Sequence, residues 1–530
     1  MRARVKTQRL AVDRGEKQLV VEEMTRRRQV SLNGSHFSID RGAEVVQDFG
    51  VQQKDQPDSH TPAATDCEQF TFAFQDLGAR KVVADFSAGH VSSDGGVLLL
   101  RELDGSLGLT RELAQCFRDR RHPAFVEHTL EELLAQRVYA LVLGYEDLND
   151  HARLRRDPLL AAAAGKTEPL GGPAQDEPVL AAPATLNRLE TTIDHAGSRY
   201  HKIDPDTDAL RAYLLRRAML TLDQDQREVV IDLDATHDPL HGQQEGRFFH
   251  GHYDCYCYLP LYGFIGEALC WAQLRPADAP LRADAVTALA QIVPAVRARC
   301  PHARIIVRGD SGFGGEEVPV WCEAHNVDYV LGLERNARLQ QLLTPAMEHA
   351  RARACLVGGY TRVYAQFDYQ TLRSWSRARR IVGKAEVLGD KANPRFIMTS
   401  LPDDDGRWSP RALYEQVYCG RGNMELRIKE QQLDLFADRL SCHGFASNQL
   451  RLWLAAFAYV LAERLRAIGL RGTSLATATV GTIRTRLLKI GALFELSVRR
   501  VRVRLSSAFP LPELFATVWR QIRAGPRESG

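Results

Sequence analysis

The 530-residue sequence has no run of about 18 uncharged apolar residues, so nothing in it is expected to span a membrane. Its richest stretch, Leu450 to Leu461, is short and already interrupted by Arg451, with Glu463 just beyond. Ten cysteines are scattered without the spacing of a disulfide framework, and no apolar leader precedes them. That predicts a reducing, cytoplasmic setting. A large charge of one sign is also missing: the net charge is +3, so any affinity for nucleic acid has to come from local patches. There is no Walker-type phosphate loop, which argues against nucleotide hydrolysis. GDSGFGG at Gly309 to Gly315 lacks the Gly-x-Ser-x-Gly pattern of a serine-hydrolase turn. FFHGHYDCYCY carries His250, His252, Cys255 and Cys257 but not the Cys-x2-Cys spacing of structural zinc sites; in a strand the two cysteines would share a face with Tyr253 as a buried row.

What is present is an ordinary globular composition, 45% hydrophobic and 25% charged, in a chain long enough for several domains. Residues 1–65 are polar and aperiodic and read as a disordered extension; within them, residues 1–30 hold nine Lys/Arg against four acids. Residues 80–222 read as a helical N-terminal region suited to DNA, with helices at Glu131 to Val142, closed by Gly144, and at Asp208 to Leu222. No helix-turn-helix spacing stands out there.

From 227 to 335 strands alternate with helices. Glu228 to Leu233, Asp254 to Phe264 and Gly266 to Leu274 read as strands; the helix Ala283 to Arg297, strand Arg304 to Val307, helix Glu316 to His325 and strand Val327 to Leu333 follow. That is the element order of a ribonuclease-H-like α/β core. Residues 336–408 read as a β-rich insertion, 409–470 as the helical completion of the core, and 471–530 as a basic C-terminal segment. In the last, Leu496 to Leu505 alternates Arg500, Arg502 and Arg504 with apolar residues, which leaves one strand face to offer charge to phosphate.

Asp234 sits just past one apolar strand and Asp310 just past another, so both carboxylates should emerge at the end of the sheet. Asp232, two residues before Asp234, can point to the same face, and strand geometry alone does not choose between them. Each acid taken singly also suits a turn or helix cap. Tyr418, Arg421, Glu425 and Lys429 follow at helical spacing, one stripe that combines a carboxylate with groups suited to phosphate. Three carboxylates can hold two divalent cations about 3.5–4 Å apart. Oxygen donors favour Mg²⁺, with Mn²⁺ as a substitute.

At these residues the sequence resembles the group 1 DDE transposases of bacterial insertion sequences. The matching features are Asp-x-Thr (Asp234, Ala235, Thr236), the second Asp (Asp310), and Tyr-x2-Arg-x3-Glu (Tyr418, Arg421, Glu425), in a likeness running from about Asp85 to Phe515. The Asp-x-Thr match favours Asp234 over Asp232. The resemblance implies that Asp234, Asp310 and Glu425 are catalytic metal ligands, and that the chain recognises terminal inverted repeats, cuts double-stranded DNA at the element's boundary and joins it to target DNA. A homodimer that pairs two ends, acting at the nucleoid, is implied in the same way. The related branch carries a lysine seven residues after the glutamate; here that position is Gln432, and the nearest lysine is Lys429. Two other readings stand beside this one: a nuclease that cuts without joining, and an inactive DNA-binding descendant.

Overall fold

The computed structural model describes residues 71–525 apart from 172–176, 196, 390 and 405. The expected disordered extension and its basic run lie outside the described residues. The rest is a mixed α/β fold around a nine-stranded sheet. Numbered in chain order, its strands are β1 (Glu228–Ala235), β2 (Leu261–Ile265), β3 (Ala268–Gln273), β4 (Arg304–Gly309), β5 (Asp328–Leu333), β6 (Tyr360–Tyr369), β7 (Arg379–Leu388), β8 (Lys391–Ala392) and β9 (Arg395–Thr399). Across the sheet they run β3-β2-β1-β4-β5-β9-β7-β6, with β8 paired to β7. The central trio β1, β4 and β5 is parallel, and every other pairing is antiparallel.

A parallel trio has to be covered on both faces, which explains its dense Val/Ile/Leu content. One face, with Val229, Ile231, Leu233, Ile305 and Val307, packs on the helix Leu281–Arg299. The opposite face, with Val230, Ile306 and Val330, meets Trp408, Leu413 and Tyr414 at the start of a helical run from Pro410 to Asp434. Strand alternation puts Asp232, Asp234 and Arg308 on this second face.

Two expectations change in detail. The strand expected over Asp254 to Phe264 breaks at Pro260, which has no N–H to give a ladder, and its first half, Cys255–Tyr258, joins a small sheet with Asp238–Pro239 and Phe248–His250. The strand expected over Leu496 to Leu505 is the second half of a hairpin, Ala492–Ser497 with Arg500–Leu505. Its turn, Val498 and Arg499, carries none of the Gly or Asn that marks a tight hairpin in sequence. The segment 336–408, read as a β-rich insertion, contains the helices Ala337–Leu342 and Thr344–Val357 and the strands β6 to β9, which extend the central sheet.

The N-terminal region opens with an exposed hairpin, Phe72–Leu77 with Arg80–Ala84, before its helices begin. The helix expected from Glu131 to Val142 runs Leu130–Leu143, started by a Thr129/Glu132 capping box and ended by Gly144 at φ +93. It packs on the long buried helix Phe445–Arg464 in one apolar core that also takes in Val518 and Ile522 of the C-terminal helix Pro512–Ala524. Among the described residues, no helix is long and apolar enough to cross a membrane.

Candidate active site

The choice between the two neighbouring aspartates of β1 comes from what each meets. Asp232 is buried and chelated by Arg308 of β4, its register partner: Nε donates to Oδ1 and Nη2 to Oδ2, both at 2.6 Å. Burial pushes the Asp232 carboxyl up, while Arg308's hydrogen bonds and charge oppose that. Arg308 Nη1 also donates to the Val417 carbonyl at 2.6 Å, tying the strand pair to the covering helix. Both oxygens of Asp232 are thus taken.

Asp234 stands at the strand's end, partly open, with Oδ1 3.6 Å from Nη1 of Arg421. Burial pushes its carboxyl up to about 7; Arg421 opposes the shift, and Asp310 and Glu425 add to it. Asp310 follows two residues after Arg308, the register partner of Asp232, just past the end of β4, and its charge reaches Asp234. Asp310 also caps the turn that follows, with Oδ1 accepting from the Gly312 N–H at 2.9 Å. The capping reading therefore holds at this residue.

The third side of the site is the run Pro410–Asp434, which is helical throughout but not regular: wide turns at Leu413–Tyr418 and Glu430–Asp434 flank a tight turn at Cys419–Arg421 and an α-helix at Gly422–Lys429. Tyr418 faces Gly332 of β5, where an added Cβ would lie 2.8 Å from the Tyr418 hydroxyl and 2.9 Å from the carbonyl carbon of Asp310. Only glycine permits that approach. Burial pushes the Tyr418 hydroxyl up; Arg421 opposes the shift and Asp310 adds to it. Arg421 is 14% exposed and reaches both Asp234 and Glu425, the latter at 3.0 Å. Its guanidinium carries the only charge among these residues that opposes the three carboxylates.

The structure thus brings Asp234, Asp310, Tyr418, Arg421 and Glu425 together. Lys429 is exposed one turn further along and makes no ion pair among the described residues. Gln432 is half-buried; its Nε2 donates to Asp238 Oδ1 at 2.7 Å, to Thr236 Oγ1 at 3.3 Å and to the His237 carbonyl at 3.5 Å, fixing the chain just beyond Asp234. Arg500, Arg502 and Arg504 lie on the edge strand of a separate three-stranded sheet, Arg504 paired with Glu495 at 2.9 Å. Sequence reasoning missed Arg308, whose signal was an arginine in an otherwise apolar buried strand, two residues before Asp310. Among the described residues, no three His, Cys, Asp or Glu side chains are grouped to hold a metal ion, and Cys255 and Cys257 are free thiols.

Asp234 at the end of β1 and Asp310 just past the adjacent parallel β4 lie beside a helical run that carries a glutamate and an arginine, and comparison with protein families puts the chain in the transposase class. It belongs to the transposase DDE domain family, group 1, whose model matches residues 74–526. Among solved structures it is similar to a chain in the cryo-EM structure of a piggyBac transposase synaptic complex with hairpin DNA, at 10% identity over 75% of this chain and 80% of that one, with a TM-score of 0.38. No curated protein sequence matches it.

Proposed function

We propose that this transposase cuts DNA at the ends of an insertion sequence and joins them to target DNA through a site made of Asp234, Asp310 and Glu425. The observation that carries this is the Arg421 guanidinium lodged between Asp234 and Glu425, with the charge of Asp310 reaching Asp234. Three carboxylates around one guanidinium leave a net charge of −2, and burial already pushes one of them towards its protonated form. Such a site gains from hard divalent cations, so the donor set fits Mg²⁺, or Mn²⁺ as a substitute. As the side chains stand, Asp234 and Glu425 pair with Arg421 and the three carboxylates are not grouped around a common point among the described residues, so holding the ions would require the guanidinium to leave Asp234.

When bound, the ions supply Lewis-acid charge that offsets repulsion between an anionic nucleophile and the phosphodiester. The chain's own groups do the rest. Arg421, once released, and the Tyr418 hydroxyl are placed to donate to phosphate oxygens of the DNA end. The Asp232–Arg308 pair locks β1, β4 and the helix so that the three carboxylates keep their spacing. The order of β1 to β5, with β2 alone antiparallel to β1 and the parallel trio beside it, supports a ribonuclease-H-like core. In this reading the arginines of Arg500–Leu505, and Lys429, contact the DNA backbone. The substrates are terminal inverted repeats and target DNA at the nucleoid, and a homodimer pairs two ends.

The test is Asp310→Asn with end DNA in Mg²⁺. The expected outcome is loss of strand cleavage with end binding retained within a few-fold; cleavage at the wild-type rate would remove Asp310 from the site.

A further inference from the structure

Beside the carboxylates lies a cluster that the three acids and Arg421 leave unused. His237, three residues after Asp234, stacks flat on Tyr253, with ring centroids 4.2 Å apart and an interplanar angle of 11°. His250 and His252 flank the same ring, each at 4.9 Å. His250 Nδ1 is buried and finds no hydrogen-bond partner among the described residues. Tyr253 precedes Asp254, a non-glycine residue at φ +53, in the turn between Phe248–His250 and Cys255–Tyr258. Left-handed backbone at a non-glycine residue carries a cost that persists where the surrounding structure enforces it, often at a functional site.

The cluster is fixed from the catalytic side as well. Gln432 grips the His237 carbonyl and the Thr236 hydroxyl, and Asp238–Pro239 pairs with the strand that follows Tyr253. Tyr253 lies within electrostatic reach of both Asp310 and Asp234, which, after burial, raise the pKa of its hydroxyl. A neutral phenol is a hydrogen-bond donor, and three imidazoles add further donors without adding carboxylate repulsion. A buried aromatic row would explain the rings alone. It does not explain three histidines gathered round a half-open phenol that feels the charge of Asp310 and Asp234.

We propose that Tyr253 contacts the DNA strand held at the carboxylates, its hydroxyl donating to a non-bridging oxygen of a phosphate next to the one being cut, with His237 as the positioning residue that holds its ring. His250 and His252 border the same phosphate path. Gln432, at the place where the related branch carries a lysine, serves this wall by holding its backbone and does not reach for phosphate itself.

Resting on the transposase reading, the test uses the full chain and end DNA carrying single methylphosphonates, each of which removes one charge and one acceptor oxygen. Tyr253→Phe keeps the ring stack and removes only the hydroxyl. It should slow single-turnover cleavage roughly 10- to 100-fold, the range for a hydrogen bond to a charged group, with end-binding Kd within about 3-fold. One methylphosphonate position should cost the wild type a similar factor and cost Tyr253→Phe nothing further. His237→Ala should lose rate and His237→Phe, which can still stack, should restore it. If the wild type cuts and Tyr253→Phe cuts as fast, or every methylphosphonate costs both proteins equally, Tyr253 is not a phosphate contact. If the wild type cuts no end DNA, the transposase reading falls and this contact falls with it.

Discussion

At the scale of single residues, Asp232 and Asp234 have opposite dependences on their surroundings. Asp232→Asn leaves the largely covered Arg308 guanidinium with its bidentate partner weakened, and removing one member of a buried pair costs up to about 3–5 kcal/mol. Asp234→Asn relieves a carboxyl that burial already pushes up to about 7. Urea unfolding should therefore show a large fall in midpoint for Asp232→Asn, and no fall for Asp234→Asn despite its expected loss of cleavage. Equal falls would mean that the two acids share one role. Asp238 gives a pH signature. It is fully buried, Oδ2 has no hydrogen-bond partner among the described residues, and burial, with Gln432's hydrogen bond opposing, pushes its carboxyl up to about 8. The folded state therefore holds a proton that the unfolded chain, with an aspartate near its ordinary value of about 3.9, gives up. The stability this contributes is full below the unfolded value and is lost as pH rises through about 8. Between pH 5 and pH 9 the wild-type urea midpoint should fall, and Asp238→Asn, permanently neutral, should flatten that fall; an unchanged slope would assign the pH dependence to other groups.

At the scale of elements, the helical run Pro410–Asp434 shows what a regular period misses. Counting residues aligns Tyr418, Arg421, Glu425 and Lys429, but the wide and tight turns redistribute them: Tyr418 goes to Gly332, Arg421 to Asp234, and Lys429 outward. The irregularity sits where Arg308 enters. Its guanidinium bonds the Val417 carbonyl, and a Cβ on Gly420 would lie 2.7 Å from Nη1, so the backbone yields to a strand residue that no helical pattern contains. The hairpin Ala492–Ser497 with Arg500–Leu505 shows the reverse case. Its alternation was legible, and its turn was not, because Val498 and Arg499 give no turn signal. Arg500 and Arg502 are exposed on an edge strand, so neutralising them together with Arg504 should weaken DNA binding and lower the slope of log K against log salt by up to about one for each phosphate no longer neutralised. An unchanged slope would return that strand to the solvated surface.

At the scale of the whole molecule, regions far apart in sequence share one core. The helices of residues 97–219 pack with Phe445–Arg464, with Leu487 and Leu488, and with Val518 and Ile522, so the N-terminal region and the C-terminal segment complete one another. The helical run bearing Glu425 is anchored to the same body: buried Glu430 accepts from both Nη atoms of Arg466, at 3.1 and 3.0 Å. A chain starting at residue 226 would therefore expose the buried flank of Phe445–Arg464. It should lack a cooperative near-UV circular-dichroism transition in urea, whereas an independent catalytic domain would keep one. The sequence by itself determined the alternating apolar strands, the acids at two strand ends and the helix bearing Glu425, because these are local periodicities. The partners were decided by tertiary structure alone. Two side chains two residues apart on a strand leave the same face in the same direction, and what separates Asp232 from Asp234 is what comes to meet each: Arg308 across the sheet for one, Arg421 from the helix above for the other.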